Sequence, residues 1–177
     1  MLKIFYRLLR LYMKRECHIF TPFWRACMLA PLLAALLTGC GLFRPADNGP
    51  TPAKAQKVVR TAYSQMGKKY RLGGASPQKG FDCSGLIWWA YRQNGLNVPR
   101  ITVDQARTGQ AVPKNRARPG DIVVFRTSQS PRGLHTGIYV GDNSFIHSPR
   151  RGERVRMESM NIPYWRSKLI AVRRVVR

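Results

Sequence analysis

The most informative segment of this chain runs Phe81-Asp82-Cys83-Ser84-Gly85-Leu86-Ile87-Trp88-Trp89-Ala90-Tyr91. Its apolar residues recur with helical spacing and stop before Asn94-Gly95, so the segment predicts a buried helix that ends there. Asp82 is of the residue type that caps a helix N-terminus, which would put Cys83 in the first turn. Backbone N–H groups and the helix dipole favour a thiolate at that position. The segment therefore predicts a nucleophilic cysteine, with an inert buried cysteine as the alternative.

The first 39 residues have the composition of an export signal. Basic residues come first, and the apolar run that follows, Ala26–Thr38, is shorter than the roughly 20 residues that a membrane-spanning helix needs. Leu37-Thr38-Gly39-Cys40 resembles the lipobox of bacterial lipoproteins, in which the cysteine is lipidated and becomes the mature N-terminus. We therefore expect residues 1–39 to be a signal peptide and Cys40 to carry a lipid anchor. An ordinary secreted N-terminus is the alternative, and Met13 would give a more compact signal than Met1.

Export would leave few chemically active side chains in the mature chain. The sequence has four cysteines and three histidines. Cys17, Cys27 and His18 would be removed with the signal peptide. With Cys40 lipidated, Cys83 would be the one free thiol, and a disulfide within the mature chain would be excluded. His135 and His147 would be the two histidines available to partner that thiol.

The rest of the chain divides into a linker and one domain. Residues 40–53 are rich in Gly, Pro, Asn and Ala and predict a tether between the lipid and the domain. Residues 54–177 are enough for one domain with a single core.

Helices are predicted in the first half of the domain and strands in the second. Besides the segment around Cys83, helices are predicted from Thr51-Pro52 to Gly67 and, with Thr102 as its cap, from Val103 to Gly109. After the turn at Arg118-Pro119-Gly120, strands are predicted at Asp121–Arg126, His135–Val140, Ser144–Ser148, Arg154–Met157 and Leu169–Val176. This order predicts an α+β fold in which the helices pack on one face of an antiparallel sheet.

Two of the predicted strands bring the histidines together. His135 opens one strand, His147 lies near the end of the next, and Gly141-Asp142-Asn143 has the composition of a hairpin turn. Antiparallel pairing across that turn puts the two histidines opposite one another or nearly so. A cysteine at a helix start that faces a histidine, with a second polar side chain beside that histidine, is an arrangement of nucleophile, base and orienter.

Four motifs resemble the NlpC family of bacterial cell-wall cysteine peptidases. They are Asp82-Cys83-Ser84-Gly85-Leu86, Arg118-Pro119-Gly120-Asp121, His135-Thr136-Gly137-Ile138-Tyr139 and Phe145-Ile146-His147. The similarity extends from about Lys54 to Val176. It implies a papain-like core in which Cys83 is the nucleophile, His135 the general base and His147 the polar residue that orients this base.

The resemblance also implies a substrate and the residues around it. Tyr70, Asp82 and Ser84 match family positions near the catalytic cysteine that shape the substrate pocket. The implied substrate is the stem peptide of peptidoglycan, cut between γ-D-glutamate and the diamino acid or, as the alternative, at the D-alanyl cross-link to the diamino acid. This chemistry requires neither a metal nor a cofactor. Arg71, Arg100 and Arg132 are candidates to pair with a carboxylate of the substrate.

The chain is strongly basic, with 31 Lys and Arg against 8 Asp and Glu and a formal charge of +23. After export, the anionic partners of such a protein are cell-wall polymer or lipid headgroups rather than nucleic acid. Because no Asp follows Cys40, we expect an anchor in the outer membrane with the domain facing the periplasm. Two other classes stay open: a zinc site made of Cys83, His135 and His147, and a non-catalytic lipoprotein that binds the wall by charge.

Overall fold

A computed structural model of the chain describes residues 51–128 and 133–176. The predicted signal peptide, the lipidation site Cys40 and the linker up to residue 50 lie outside the described residues, as does Arg132. Within the described ranges, every helix is too short or too polar to cross a membrane.

The helices partly follow the predicted ones. They are α1 (Ala53–Tyr63), α2 (Cys83–Arg92), α3 (Thr102–Gln105) and α4 (Pro163–Lys168), with a 3₁₀ turn at Lys114–Arg116. The predicted cap Thr102 is instead the first residue of α3, which ends at Gln105 and not at Gly109. Ile101 occupies the N-cap position, and the Thr102 hydroxyl contacts the thiol of Cys83. Helix α4 escaped prediction because it is too short to show a helical period.

Among the described residues, the main sheet has six strands: β3 (Gln110–Val112), β4 (Ile122–Arg126), β5 (Leu134–Gly141), β6 (Ser144–His147), β7 (Arg156–Ser159) and β8 (Leu169–Arg174). Its order is β3-β8-β4-β5-β6-β7, with every neighbouring pair antiparallel. Two short strands, β1 (Ala75–Ser76) and β2 (Gly80–Phe81), pair separately just before α2. Helices followed by an antiparallel sheet confirm the predicted α+β class.

Both faces of the sheet are covered by apolar side chains. Ile122 and Val124 of β4 pack toward α1 and α2, whereas Val123 and Phe125 belong to a second cluster on the opposite face. That second cluster includes Trp165 of α4, so helices lie on both faces and not on one alone. Burial on two sides explains why β4 is apolar without interruption, since a half-exposed strand would alternate.

The hairpin between β5 and β6 positions the two histidines. The turn residues at 142–143 both have positive φ, 48° and 50°, as the centre of a type I′ turn requires. The strands pair with Ile138 opposite Ile146. By this register His147 is diagonal to His135 and not directly opposite. Diagonal neighbours on paired strands share a face, and two imidazole rings are long enough to meet across it.

Candidate active site

Cys83 is the first residue of α2, and the side chain before it holds this helix start in place. The Asp82 carboxylate accepts the backbone N–H of Gly85 at 2.6 Å, which confirms the predicted N-cap. Its other oxygen accepts the N–H of Gly73 at 2.8 Å. Arg100 donates to both oxygens at 3.0 Å, a bidentate pair. One carboxylate therefore fastens three chain segments together beside the thiol.

Glycines let the start of α2 pack directly against backbone. A Cβ on Gly85 would lie 2.0 Å from the carbonyl oxygen of Gly74, and a Cβ on Gly74 would lie 2.4 Å from that of Gly80. Neither position has room for a side chain. The same close approach lets the Gly74 carbonyl accept the N–H of Asp82 at 3.0 Å. The glycines around Cys83 thus have a steric role in placing the thiol.

The thiol of Cys83 is buried among polar groups. Thr102 Oγ1 lies 3.7 Å from Sγ, and the backbones of Thr136 and Ser84 also interact with the sulfur. Burial raises the pKa of the Cys83 thiol, and these three contacts oppose but do not overcome it. Desolvation at this site thus opposes the stabilisation of the thiolate that the N–H groups at the helix start provide.

His135 and His147 form a buried pair. His135 Nε2 lies 2.7 Å from His147 Nδ1, and the planes of the two rings make an angle of 89°. Burial lowers the pKa of both imidazoles, and for His135 the neighbouring His147 lowers it further. Both rings are therefore neutral near neutral pH. The contact occupies Nε2 of His135 and leaves Nδ1 as the ring nitrogen for the thiol, and His135 and Cys83 line the same cleft.

Aromatic side chains surround the histidine pair. Trp165 lies with its ring 5.7 Å from that of His135 and 5.2 Å from that of His147. Phe145 lies 4.8 Å from His147 on another side. These rings exclude water from the imidazoles, which is the physical cause of their lowered pKa values.

A carboxylate that the sequence did not single out lies behind His147. Glu158 Oε1 is 3.5 Å from His147 Nε2 and 2.5 Å from Arg156 Nε. The other carboxylate oxygen accepts the indole N–H of Trp165. Burial opposes ionisation of Glu158, but its contacts with His147, Arg156 and Trp165 outweigh burial and lower its pKa to about 2. The predicted strand ended at Met157, one residue too early to include this group.

Two further buried polar residues hold the parts of the site together. Gln105 donates to the carbonyl of Ser84 at 2.9 Å and accepts the hydroxyl of Thr136 at 3.0 Å, so it links α2 to β5. Ser148 donates to the carbonyl of Phe81 at 2.7 Å and links the end of β6 to the segment before Cys83. Sequence reasoning missed both, because each is a single polar residue inside a predicted helix or strand and no motif marks it.

The three catalytic candidates belong to the walls of a cleft or to the layer behind it. The cleft has a volume of about 890 Å³, and Cys83 and His135 line it while His147 lies behind His135. Several of the exposed large apolar side chains of the described region stand around the cleft, namely Leu72, Ile101, Ile162 and Tyr164. A concave, largely apolar site with a few convergent polar groups is the usual form of a ligand-binding site.

The predicted pocket residues all line this cleft, namely Tyr70, Asp82 and Ser84. Burial raises the pKa of the Tyr70 phenol, and the nearby Cys83 and Asp82 raise it further, so the hydroxyl stays protonated and able to donate. Ser84 donates to Asp82 at 3.2 Å and accepts from Arg100 at 3.1 Å. Asp82 and Ser84 thus belong to one hydrogen-bonded cluster at the cleft wall.

Of the arginines predicted to meet a substrate carboxylate, Arg100 lines the cleft but Arg71 does not. The Arg100 guanidinium is already engaged by Asp82 and by the carbonyl of Gly74 at 3.2 Å. Arg100 therefore holds Asp82, and with it the start of α2, in place.

The arrangement differs from the zinc site considered above. Among residues 51–128 and 133–176, no group of three or more His, Cys, Asp and Glu side chains is placed to hold a metal ion. His135 Nε2 and His147 Nδ1 face each other at 2.7 Å, too close for an ion to sit between them.

Comparison with known proteins identifies the family. The NlpC/P60 family model matches residues 67–174, more than half of the chain. The chain therefore belongs to the NlpC/P60 family, which confirms the resemblance found in the sequence.

Two curated relatives carry functional names. Murein DD-endopeptidase MepH of Escherichia coli K12 is 39% identical over 131 residues, which cover 70% of this chain and 48% of MepH. Gamma-DL-glutamyl hydrolase of Bacillus subtilis 168 is 37% identical over 125 residues, covering 70% of this chain and 30% of that enzyme. The chain thus spans about half the length or less of these two relatives.

A solved structure supports the fold. The crystal structure of an NlpC/P60 family protein from Bacillus cereus ATCC 10987 matches with a TM-score of 0.65 and 33% sequence identity. The match covers 76% of this chain and 44% of the other. It confirms that the α+β domain has a papain-like core.

Proposed function

We propose that this protein is a peptidoglycan endopeptidase that hydrolyses stem-peptide bonds through Cys83, His135 and His147. One observation carries the proposal: a buried thiol at a helix start shares a cleft with a histidine that lies 2.7 Å from a second buried histidine. The NlpC/P60 family supports cysteine chemistry, and the names of the E. coli and B. subtilis relatives support wall peptides as substrates.

The reaction begins with a neutral thiol and a neutral imidazole. Burial disfavours the charged form of both Cys83 and His135 at rest. His135 takes the thiol proton on Nδ1 as the sulfur attacks the carbonyl carbon of the scissile peptide bond. His147 accepts the Nε2–H of His135, which fixes the ring and stabilises the imidazolium that forms.

The tetrahedral intermediate carries its negative charge on the former carbonyl oxygen. We propose the backbone N–H groups of Cys83 and Ser84, at the start of α2, and the Tyr70 hydroxyl of the same cleft as donors to this oxygen. A donor in such a position typically contributes about 3 kcal/mol to the transition state. Collapse of the intermediate expels the amine, which takes the proton from His135 and leaves a thioester on Cys83. Water, deprotonated by His135, then hydrolyses the thioester and restores the thiol.

Within the stem peptide, we propose cleavage between γ-D-glutamate and the diamino acid. Similarity to the B. subtilis gamma-DL-glutamyl hydrolase supports this choice. The D-alanyl cross-link to the diamino acid is the second candidate, because the E. coli relative is named a murein DD-endopeptidase.

Digestion of purified muropeptides, followed by mass spectrometry, tests the function. Truncated monomers support cleavage at γ-D-glutamate, and loss of cross-linked dimers with intact stems supports the second bond. Cys83→Ala is the matched control and should leave both substrates unchanged. If neither substrate changes while Cys83 is reduced and reactive, a non-catalytic wall-binding protein becomes the better interpretation.

We further propose that lipid on Cys40 anchors the protein in the cell envelope, in the outer membrane facing the periplasm. The lipobox-like Leu37-Thr38-Gly39-Cys40 after a basic and then apolar segment supports this proposal. Cys40→Ser should release the protein from membranes, measured by fractionation at high salt. A variant that still pellets with membranes would contradict the anchor.

A further inference from the structure

The carboxylate behind His147 lies outside the three residues proposed to carry the reaction. We infer that Glu158 is a positioning residue that sets which ring nitrogens of the His135 and His147 pair carry protons. This inference rests on the proposed Cys83, His135 and His147 site and adds a fourth group to it.

Glu158 reaches His147 at the ring nitrogen that does not face His135. His147 directs Nδ1 at His135 Nε2, 2.7 Å away, and Nε2 at Glu158 Oε1, 3.5 Å away. His147 Nε2 is buried and, among the described residues, makes no hydrogen bond; the Glu158 carboxylate lies at ion-pair distance from it. The ring therefore lies between a carboxylate on one side and the base on the other.

A neutral imidazole carries one N–H, so an anion beside one nitrogen decides where that proton is held. The Glu158 carboxylate can only accept, which favours the His147 tautomer protonated on Nε2. Nδ1 of His147 is then an acceptor and receives the Nε2–H of His135. His135 is left without a proton on Nδ1, which is the form that a base facing Cys83 must have. The opposite tautomer of His147 would put a proton on His135 Nδ1 and disable it.

The carboxylate is fixed in this role by its other contacts. Arg156 Nε binds Oε1 at 2.5 Å, and the Trp165 indole N–H binds the second oxygen. Both contacts favour the anion over the acid. Of the other charged groups that act on His147, Arg156 disfavours and Glu153 favours its protonated form. Glu158 has the larger effect because it contacts the ring directly.

The same anion assists the step in which His135 becomes charged. When His135 takes the thiol proton, the imidazolium can share its charge through His147 toward Glu158. Without the carboxylate, transfer of the thiol proton to His135 is less favourable, so less thiolate forms near neutral pH.

Glu158→Gln tests the role because it keeps the shape of the side chain and removes its charge. Nitrogen-15 NMR of the histidine rings should show His147 protonated on Nε2 in the purified wild-type protein and a loss of that preference in the variant. Alkylation of Cys83 by iodoacetamide between about pH 6 and 8 should slow by about 10-fold. On muropeptides, kcat should fall by about 10- to 100-fold with little change in KM.

Two matched variants separate charge from structure. Glu153→Gln removes the other carboxylate that binds Arg156, at 2.8 Å, but leaves Glu158 beside His147, so the tautomer should not change. Glu158→Asp keeps the charge on a shorter side chain and should shift the NMR and alkylation readouts in the same direction by a smaller amount.

A folded Glu158→Gln protein with the wild-type tautomer and the wild-type alkylation profile would overturn the inference. If that variant does not fold, the Glu158→Asp readouts decide, and no shift in them is equally contrary. Neither measurement uses peptidoglycan, so their failure is distinct from a failure of the proposed substrate. Full turnover in Cys83→Ala would instead reject the proposed site.

Discussion

The two walls that meet at the thiol are built in different ways. Most of the Cys83 wall comes from residues close in sequence, from Gly73 to Gly85, held by backbone hydrogen bonds, by glycine contacts too tight for a side chain and by the Asp82 pair with Arg100. The histidine wall draws its side chains from three strands and α4, held by ring packing and ion pairs. The first wall should therefore be sensitive to added volume, and the second to charge and protonation.

Removing the reacting groups should have the largest effect. Cys83→Ala and His135→Ala should each lower kcat on muropeptides by at least about 1,000-fold while the fold persists, because residues that act as a unit are strongly non-additive. His147→Ala should cost less, about 10- to 100-fold, since it orients the base and does not touch the substrate. Steady-state kinetics with circular dichroism as the folding control measures these effects. Wild-type turnover in Cys83→Ala would reject the mechanism.

Added volume should separate the two walls. Gly85→Ala drives a Cβ to 2.0 Å from the carbonyl oxygen of Gly74, and backbone cannot give way cheaply. Gly137→Ala, on the histidine side, places its Cβ 2.6 Å from the ring of buried Phe145 and 3.1 Å from the carbonyl oxygen of Ile146, so the closest atom belongs to a side chain and not to backbone. We expect a loss in unfolding free energy of about 4 kcal/mol for Gly85→Ala and about 1 to 2 kcal/mol for Gly137→Ala. Urea unfolding of both variants measures the contrast, and equal losses would contradict it.

Acid should weaken the histidine wall first. The pKa values of His135 and His147 are lowered by burial from the ordinary 6.5, so the unfolded chain binds protons that the folded chain does not. The free energy of unfolding is therefore highest, as far as these two rings are concerned, above pH 6.5. It falls as the pH drops below 6.5, with a slope of up to about 1.4 kcal/mol per pH unit for each ring. Glu158, whose pKa is lowered from 4.5 to about 2, adds its own loss only below pH 4.5.

Urea midpoints measured from pH 7.5 down to about pH 5 test whether the histidines lose their effect before Glu158 does. Between pH 6.5 and 4.5 only the histidines of this cluster should change the free energy of unfolding. His147→Gln should flatten the decline in that window. A wild-type protein whose stability stays constant from pH 7.5 to about pH 5 would contradict the burial of neutral rings.

The smallest expected effect concerns the polar contact of the thiol. Thr102→Val keeps the size of the side chain and removes the hydroxyl 3.7 Å from Cys83 Sγ. Because that contact lowers the pKa of the thiol, its loss should raise the pKa and slow iodoacetamide alkylation at neutral pH by about 3-fold. Thr108→Val, beyond α3 and away from the sulfur, is the control. A faster reaction in Thr102→Val would show that the hydroxyl holds the thiol unreactive.

Sequence reasoning was most successful where local rules apply. The α2 helix, its Asp82 cap and the turn between β5 and β6 follow from residue types within a few positions of one another. The five predicted strands correspond to β4 through β8, although β7 begins two residues later than expected. Short elements such as β3 and α4 were missed because they contain too few residues to show a period.

The same limit applies to the candidate site. Cys83, His135 and His147 could be found in the sequence because cysteine and histidine are rare in it and their order matches the family. In the structure, Cys83 and His135 line one cleft and His147 lies against His135. The sequence did not supply Gln105 or Glu158, because their roles depend on how a helix and two neighbouring strands are placed in space. Nor did it predict that burial raises the pKa of the Cys83 thiol, since that pKa depends on how much water reaches the sulfur.

The amino-acid sequence by itself determined the family, the α+β class, the helix that presents Cys83 and the hairpin that joins the histidines, because each depends on short-range periodicity, capping and turn chemistry. Only the tertiary structure decided which carboxylate stands behind His147, which ring nitrogens face each other and which charges survive burial. Strand register and desolvation control those outcomes, and both are set by contacts between residues that are distant in the chain.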